Sequence, residues 1–331
     1  MKKSLLKAFQ LVSFVAGVAL FVHVIRRTGL AELTRYIEML GWGAVFILAL
    51  SGVRNLVRAA AWHLSIDPEH RAVGFGTLTN IMLAGEAIKY LTATGPFLGE
   101  PAKAAMVRRR VPLVEGFSSV VVENLIYNLS VALFTLAGLP ALGFVVDLPA
   151  PLVAAGYVSA AVMVFIIAIT WVAVRSRWYV LARLIDWLAR RNAFLKRAGF
   201  SRLKTRVEAL ETNVYNFYEE RRGAFFLIFF LDMVSHLINV VEVYVILTLM
   251  NLPATLWAGF VIEAVTKIIN LAFFFVPTRA GVYESGNALV LGALGMTAGA
   301  GVALAIIRKL RAFVWVAYGL VVIAFSLGPN E

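Results

Sequence analysis

The chain has 331 residues, 61% of them hydrophobic and only 15% charged, with a net charge of +12. Soluble domains carry about 25% charged residues, so a soluble globular fold is excluded, and the apolar runs are too long for barrel strands, which alternate over about ten residues. What remains is an all-α polytopic membrane protein, in which helices satisfy every backbone polar group internally.

Cysteine is absent, which excludes disulfides, Cys-ligated metals and thiol catalysis. His23, His63, His70 and His236 lack metal-ligand spacing, so neither metal nor cofactor is expected. In a membrane chain the positive balance reads as basic cytoplasmic loops rather than as nucleic-acid binding.

A full span needs about 20 apolar residues. The first run, residues 8–25, follows Met1-Lys2-Lys3 with no cleavage site before Arg26 and predicts a retained span. A second run covers residues 42–57. Residues 75–110 then carry Glu86 and Lys89 on an apolar stretch, a Pro96–Gly99 interruption, and a short second stretch with Glu100, Lys103 and Arg108-Arg109-Arg110. That second stretch is too short and too charged to cross alone. Runs at 114–139 and 152–174 follow, the first containing Glu123.

Residues 175–222 form a basic connector with two amphipathic stretches, read as helices anchored on the inner surface or binding anionic lipid there. Beyond it lie the run 224–250, a second irregular region at 256–294, and a last run at 301–327. The second irregular region repeats the pattern of the first: Glu263 and Lys267, a Pro277–Gly281 break holding Arg279, then Glu284. Arg308, Lys309 and Arg311 lie inside the last run.

The connector and Lys2, Lys3 and Lys7 are predicted to be cytoplasmic, because basic loops stay inside. If residues 75–94 crossed fully, Arg108–Arg110 and the connector would lie outside. A re-entrant hairpin over 75–110 keeps both clusters in. The prediction is about six full spans plus two re-entrant helical hairpins in one integral membrane domain, arranged as an inverted-topology repeat. The first repeat covers 41–140, the cytoplasmic connector 175–222 and the second repeat 223–327.

Charges inside a bilayer cost several kcal/mol each and mark substrate or ion paths. The predicted binding residues are Glu86, Lys89, Glu100, Lys103, Glu123, Glu263, Lys267, Arg279, Glu284, Arg308 and Arg311. Pro96, Gly99, Pro277 and Gly281 are predicted hinges, and no catalytic residue is expected. The cationic groups suit a phosphate, with the glutamates balancing charge. Blander roles stand beside these: Glu100 as a helix N-terminal cap, Arg279 as a snorkelling interfacial side chain, and Glu123 with Arg308 as a structural ion pair. Glu242, Arg54 and Arg58 are weaker candidates, the two arginines reading chiefly as positive-inside anchors.

With these residues in order, the chain resembles the lysylphosphatidylglycerol synthase transmembrane-domain family, also called the flippase-like domain family. One mark is Pro96, Gly99, Glu100, Lys103 and Arg108, with Glu123 on the next span. The other is Pro277, Gly281 and Glu284, with Arg308 on the last span. The resemblance covers about residues 10–325. It implies translocation of a polar-headed lipid between leaflets of the plasma (inner) membrane, without the aminoacyltransferase domain of the bifunctional synthases. It also implies membrane lipids as partners and a lipid-synthesising enzyme as a candidate partner. Phe97-Leu98 stands where the family often has an arginine, which leaves the headgroup role to Arg279.

No Walker-type loop is present, so movement is expected to be energy-independent, or coupled to a proton through Glu86, Glu123 or Glu263. The alternatives are a secondary transporter of a small anionic solute and an intramembrane lipid-modifying enzyme.

Overall fold

A computed structural model describes residues 22–23, 26, 29–71, 73–92, 95–145, 150–191, 199–273, 276 and 279–326. The expected span at 8–25 and Pro277 therefore lie outside the described residues, apart from 22 and 23. Among the described residues every regular element is a helix. The helices are α1 Leu30–Leu40, α2 Gly43–Ser65, α3 Phe75–Leu91, α4 Gly95–Val107, α5 Leu113–Val145 and α6 Ala150–Arg175. They continue with α7 Val180–Arg191, α8 Gly199–Glu220, α9 Arg222–Leu249, α10 Leu256–Ala272, α11 Val282–Ala293 and α12 Ala298–Ser326. Among the described residues four stretches are long and apolar enough to cross a membrane: Gly43–Ser65, Leu113–Gly138, Gly156–Arg175 and Arg222–Leu249. The chain is a polytopic helical membrane protein.

The centre of the molecule is the pair α2 and α9. Gly43 meets Leu249 at one end, Arg54 donates to Asn239 in the middle, and Ala61 shares a core with Ile228 at the other. The two helices therefore run antiparallel. Each is followed by a two-helix hairpin, α3–α4 and α10–α11, and then by a long helix, α5 and α12. The packing pattern is common to both halves: α3 packs on α12, and α10 packs on α5.

The hairpins reach only part of the way along these long helices. From its start beside His63, α3 runs antiparallel to α2 until Glu86 lies 4.0 Å from Arg58 and Tyr90 faces Arg54 across a small cavity. Arg54 is the twelfth of the 23 residues of α2. The returning arm places Glu100 against Asn124, the twelfth residue of α5. In the other half Glu284, three residues past Gly281, meets Lys309, the twelfth of 29 residues in α12. Both hairpin tips thus lie level with the middle of their neighbours.

Helices in lipid gain little from apolar burial and associate by close packing of small residues. Gly85 and Gly99 supply such a contact between α3 and α4. A Cβ on Gly99 would stand 2.7 Å from the Lys89 Cβ and 2.8 Å from the Gly85 carbonyl. The expected hinge at Gly99 is thus displaced. The chain breaks just after Leu91, where Thr92 leaves helical geometry, and Gly99 sits inside α4 as a contact residue. Pro96 falls in the first turn of that helix, where a missing N–H costs nothing. Pro101 lies in the interior of the same helix.

The connector is only partly a surface element. Val214 and Phe217 of α8 are buried in a core with Ala61, Val122, Ile126 and Ile228. Glu211 accepts from the N–H groups of Leu181 and Ala182 at 2.8 and 3.1 Å, fastening the start of α7 to α8. At the exposed end of α8, hydrogen bonding from Arg177 holds the Glu219 carboxyl below its ordinary range.

Candidate functional site

Between the two hairpins and the α2–α9 pair lies a cavity of about 430 Å³. Its wall includes Arg54 and Arg58 from α2, Lys89 from α3, Lys267 from α10, Arg279 from the α10–α11 turn, and Arg308, Lys309 and Arg311 from α12. Eight cationic side chains thus face two carboxylates, Glu86 and Glu263. Tyr90, Tyr127, Tyr283 and Asn239 add polar groups to the same wall.

The remaining acidic groups stand behind this wall and position it. In the first half, Glu86, Lys89, Glu100 and Lys103 form a ring of alternating charge. Lys103 reaches Glu86 at 3.2 Å and Glu100 at 3.0 Å; Lys89 reaches Glu100 at 3.1 Å and Glu86 at 3.6 Å. Asn124 donates to Glu100 at 2.9 Å and ties the ring to α5. Glu100 is the sixth residue of α4, so it does not cap that helix. Arg58 pairs with Glu123 at 2.6 Å and lies over the Tyr127 ring, its guanidinium carbon 4.0 Å from the centroid. Such a cation–π contact is worth about 2 kcal/mol when desolvated.

In the second half, Glu263 holds Lys267 at 2.9 Å and Arg308 at 2.7 Å. Glu242, fully buried, lies 3.5 Å from Arg308 and also pairs with Arg311. Glu284 accepts from the Gly281 N–H at 2.8 Å and lies 2.5 Å from Lys309. Gly281 has φ 77, the left-handed region that glycine occupies without strain. Arg279 has φ 50. For a residue with a Cβ that conformation costs about 1–2 kcal/mol, and here it accompanies a guanidinium that lines the cavity.

Of the predicted binding residues, Glu86, Lys89, Glu263, Lys267, Arg279, Arg308 and Arg311 line the cavity. Glu100, Lys103, Glu123 and Glu284 do not. Each is held one layer back by the ion pairs just described. Arg54 and Arg58, read from sequence chiefly as anchors, are cavity residues, because α2 extends eight residues beyond the apolar run that suggested it and so places both near its middle. Arg279 is also not the sole headgroup candidate, given the other cations around it. Tyr90, Tyr127, Tyr283 and Asn239 lacked a signal in sequence, since each sits in an ordinary apolar helix. His236 is buried behind the wall, its ring 5.4 Å from that of Tyr127.

Two cavity arginines have no carboxylate within 4.0 Å among the described residues. Arg54 donates only to the neutral oxygens of Asn239 and Asn55, at 3.1 and 3.0 Å. Arg279 has a buried Nε without a hydrogen-bond partner. These groups and the positive surplus make the cavity complementary to an anion.

A second hollow of about 360 Å³ adjoins the first, and Asn128, Val131 and Leu271 line both. Its other walls are apolar, with Leu129 and Ala132 from α5 and Met163, Ile166 and Trp171 from α6 among them. Helix α6 is the outermost span, with only 6% of its apolar window buried.

No curated protein and no solved structure matches the chain. A family model does: it covers residues 10–319 of 331 and includes every helix that builds the cavity. The chain belongs to the lysylphosphatidylglycerol synthase TM region family.

Proposed function

We propose that the protein moves a polar-headed, phosphate-containing lipid between the leaflets of the membrane. The observation that carries this reading is the junction of the two hollows. A cationic cavity of about 430 Å³ shares Asn128, Val131 and Leu271 with an apolar groove. A lipid has the same division: an anionic headgroup for the arginines and an acyl chain for the groove beside α6. A small soluble anion would use the cavity and leave the groove without purpose.

The antiparallel α2–α9 pair and the shared packing order of the two halves support an inverted-topology repeat with two re-entrant hairpins. In that arrangement broken helices meet near the bilayer midplane, and rocking of one half against the other alternates access. The basic residues of 175–222 support a cytoplasmic connector in the plasma (inner) membrane.

Transport without chemistry is the reading favoured over lipid modification. Every glutamate in or behind the wall has a lysine or arginine within 4.0 Å. Carboxylates so engaged are poor general bases.

Native mass spectrometry of the protein released gently from membranes tests the proposal. A retained phospholipid, lost when Arg54 and Arg279 are both replaced by alanine, is the expected result. A retained soluble anion with no lipid would reverse the choice.

A further inference from the structure

One buried carboxyl stands apart from the network. Asp232, on α9, is fully buried, and neither carboxylate oxygen accepts a hydrogen bond among the described residues. Among the described residues no lysine or arginine lies within 4.0 Å of it, although each of the six glutamates around the cavity has such a partner. Its charged neighbours are Arg58 from α2 and Glu123 from α5, and these two are already paired with each other at 2.6 Å. An unpaired carboxylate in such a place costs several kcal/mol, whereas a neutral carboxyl does not.

One turn further along α9 is His236, also fully buried. Its Nε2 lies 3.0 Å from Ser130 Oγ, and its Nδ1 has no partner among the described residues. Lys267 and Glu263 from α10 and Arg54 from α2 bear on it electrostatically. Ser235, between the two, lines the cavity, so water there stands within a turn of both groups.

We propose that Asp232, with His236 beside it, is a proton-binding site that couples lipid movement to a proton gradient. The coupling element is Arg58. It lines the cavity, pairs with Glu123, and bears electrostatically on Asp232. With Asp232 neutral, Arg58 stays on Glu123 and offers its remaining donors to a headgroup phosphate. When the Asp232 O–H bond breaks and the proton leaves as hydronium through the cavity, the new carboxylate competes for Arg58 and withdraws it from the headgroup. Rebinding of a proton from the other side restores the first arrangement, so one proton crosses for each lipid released. Glu86, Glu123 and Glu263, the carriers expected from sequence, are less suited because each is already ion-paired with a lysine or arginine. This coupling rests on the lipid reading; the proton site itself does not.

Two measurements separate them. The infrared spectrum of the purified protein reads the site alone: a C=O band of a protonated carboxyl in apolar surroundings is expected, and Asp232→Asn should remove it. Proteoliposomes with fluorescent phosphatidylglycerol read the coupling. A gradient of one pH unit should shift the steady-state lipid distribution of the wild type about tenfold for one proton per lipid, and Asp232→Asn should transfer lipid without responding to the gradient. A band that survives in Asp232→Asn, or is missing from the wild type, overturns the site. A wild type indifferent to the gradient, or an Asp232→Asn variant that responds as wild type does, overturns the coupling. If wild type moves no lipid under either condition, the lipid reading and the coupling both fall, and the infrared band still decides the site.

Discussion

Arg58 and Glu123 meet at 2.6 Å between α2 and α5, and Glu242 and Arg308 lie 3.5 Å apart between α9 and α12. Each pair joins the helix before a hairpin to the helix after one, and the charges are exchanged: the cation is on the earlier helix in the first pair and on the later helix in the second. Each pair sets one arginine in the cavity wall.

Removing Arg58 leaves Glu123 a buried charge with no ion-pair partner among the described residues, whereas Glu242 and Arg308 each keep a second partner, Arg311 and Glu263. Arg58→Ala should destabilise the protein by about 3–5 kcal/mol, the usual cost of stranding one member of a buried pair. The exchange Arg58→Glu with Glu123→Arg should recover much of that loss. Thermal unfolding in detergent of the single and double variants checks both statements.

Arg54 and Arg279 should behave differently. Neither has a carboxylate within 4.0 Å among the described residues, so Arg54→Ala and Arg279→Ala should cost less thermal stability than Arg58→Ala. Each should weaken phospholipid retention by about tenfold or more, given about 1.5–3 kcal/mol for a hydrogen bond to a charged group. Titration of anionic lipid into the protein, followed by native mass spectrometry, measures this.

The hairpin contact is steric. Gly99→Leu would drive a side chain into Lys89 and the Gly85 carbonyl and should cost about 1–3 kcal/mol, as overpacking does. Gly292 has open space around the position of a Cβ, so Gly292→Ala is the control and should be close to neutral. The loss of unfolding temperature in one and not the other would locate the effect in the α3–α4 contact.

The groove distinguishes lipid from solute. Ala132→Trp should fill the space beside Met163 and Ile166 and reduce retention of long-chain phosphatidylglycerol. Binding of glycerol phosphate, which has a headgroup and no chain, should be unaffected. Isothermal titration with the two ligands makes the comparison.

Much of this organisation was legible in the chain, and the reasons are physical. A glutamate or lysine in an apolar helix is conspicuous, so Glu86, Lys89, Glu263 and Lys267 stood out and do face the cavity. Their spacing from Glu100, Glu284, Glu123 and Arg308 also located the hairpins and the helices after them. Depth was harder to read. Glu100, Lys103, Glu123 and Glu284 carry the same sequence signal as the wall residues, yet ion pairs hold them one layer back. Arg54 and Arg58 looked like anchors because hydropathy ends the run near residue 57, whereas α2 continues to Ser65. Asp232 and His236 gave no repeat or motif. Their isolation exists only once α2, α5 and α9 are packed.

The central claim is that the cavity and groove together carry a lipid across the bilayer. The most direct measurement is transfer of fluorescent phosphatidylglycerol in proteoliposomes, comparing wild type with the Arg54→Ala, Arg279→Ala double variant at equal protein content. Rapid transfer by wild type and at least a tenfold loss in the variant is the predicted result. Equal transfer by both, or none by a folded wild type, would contradict it.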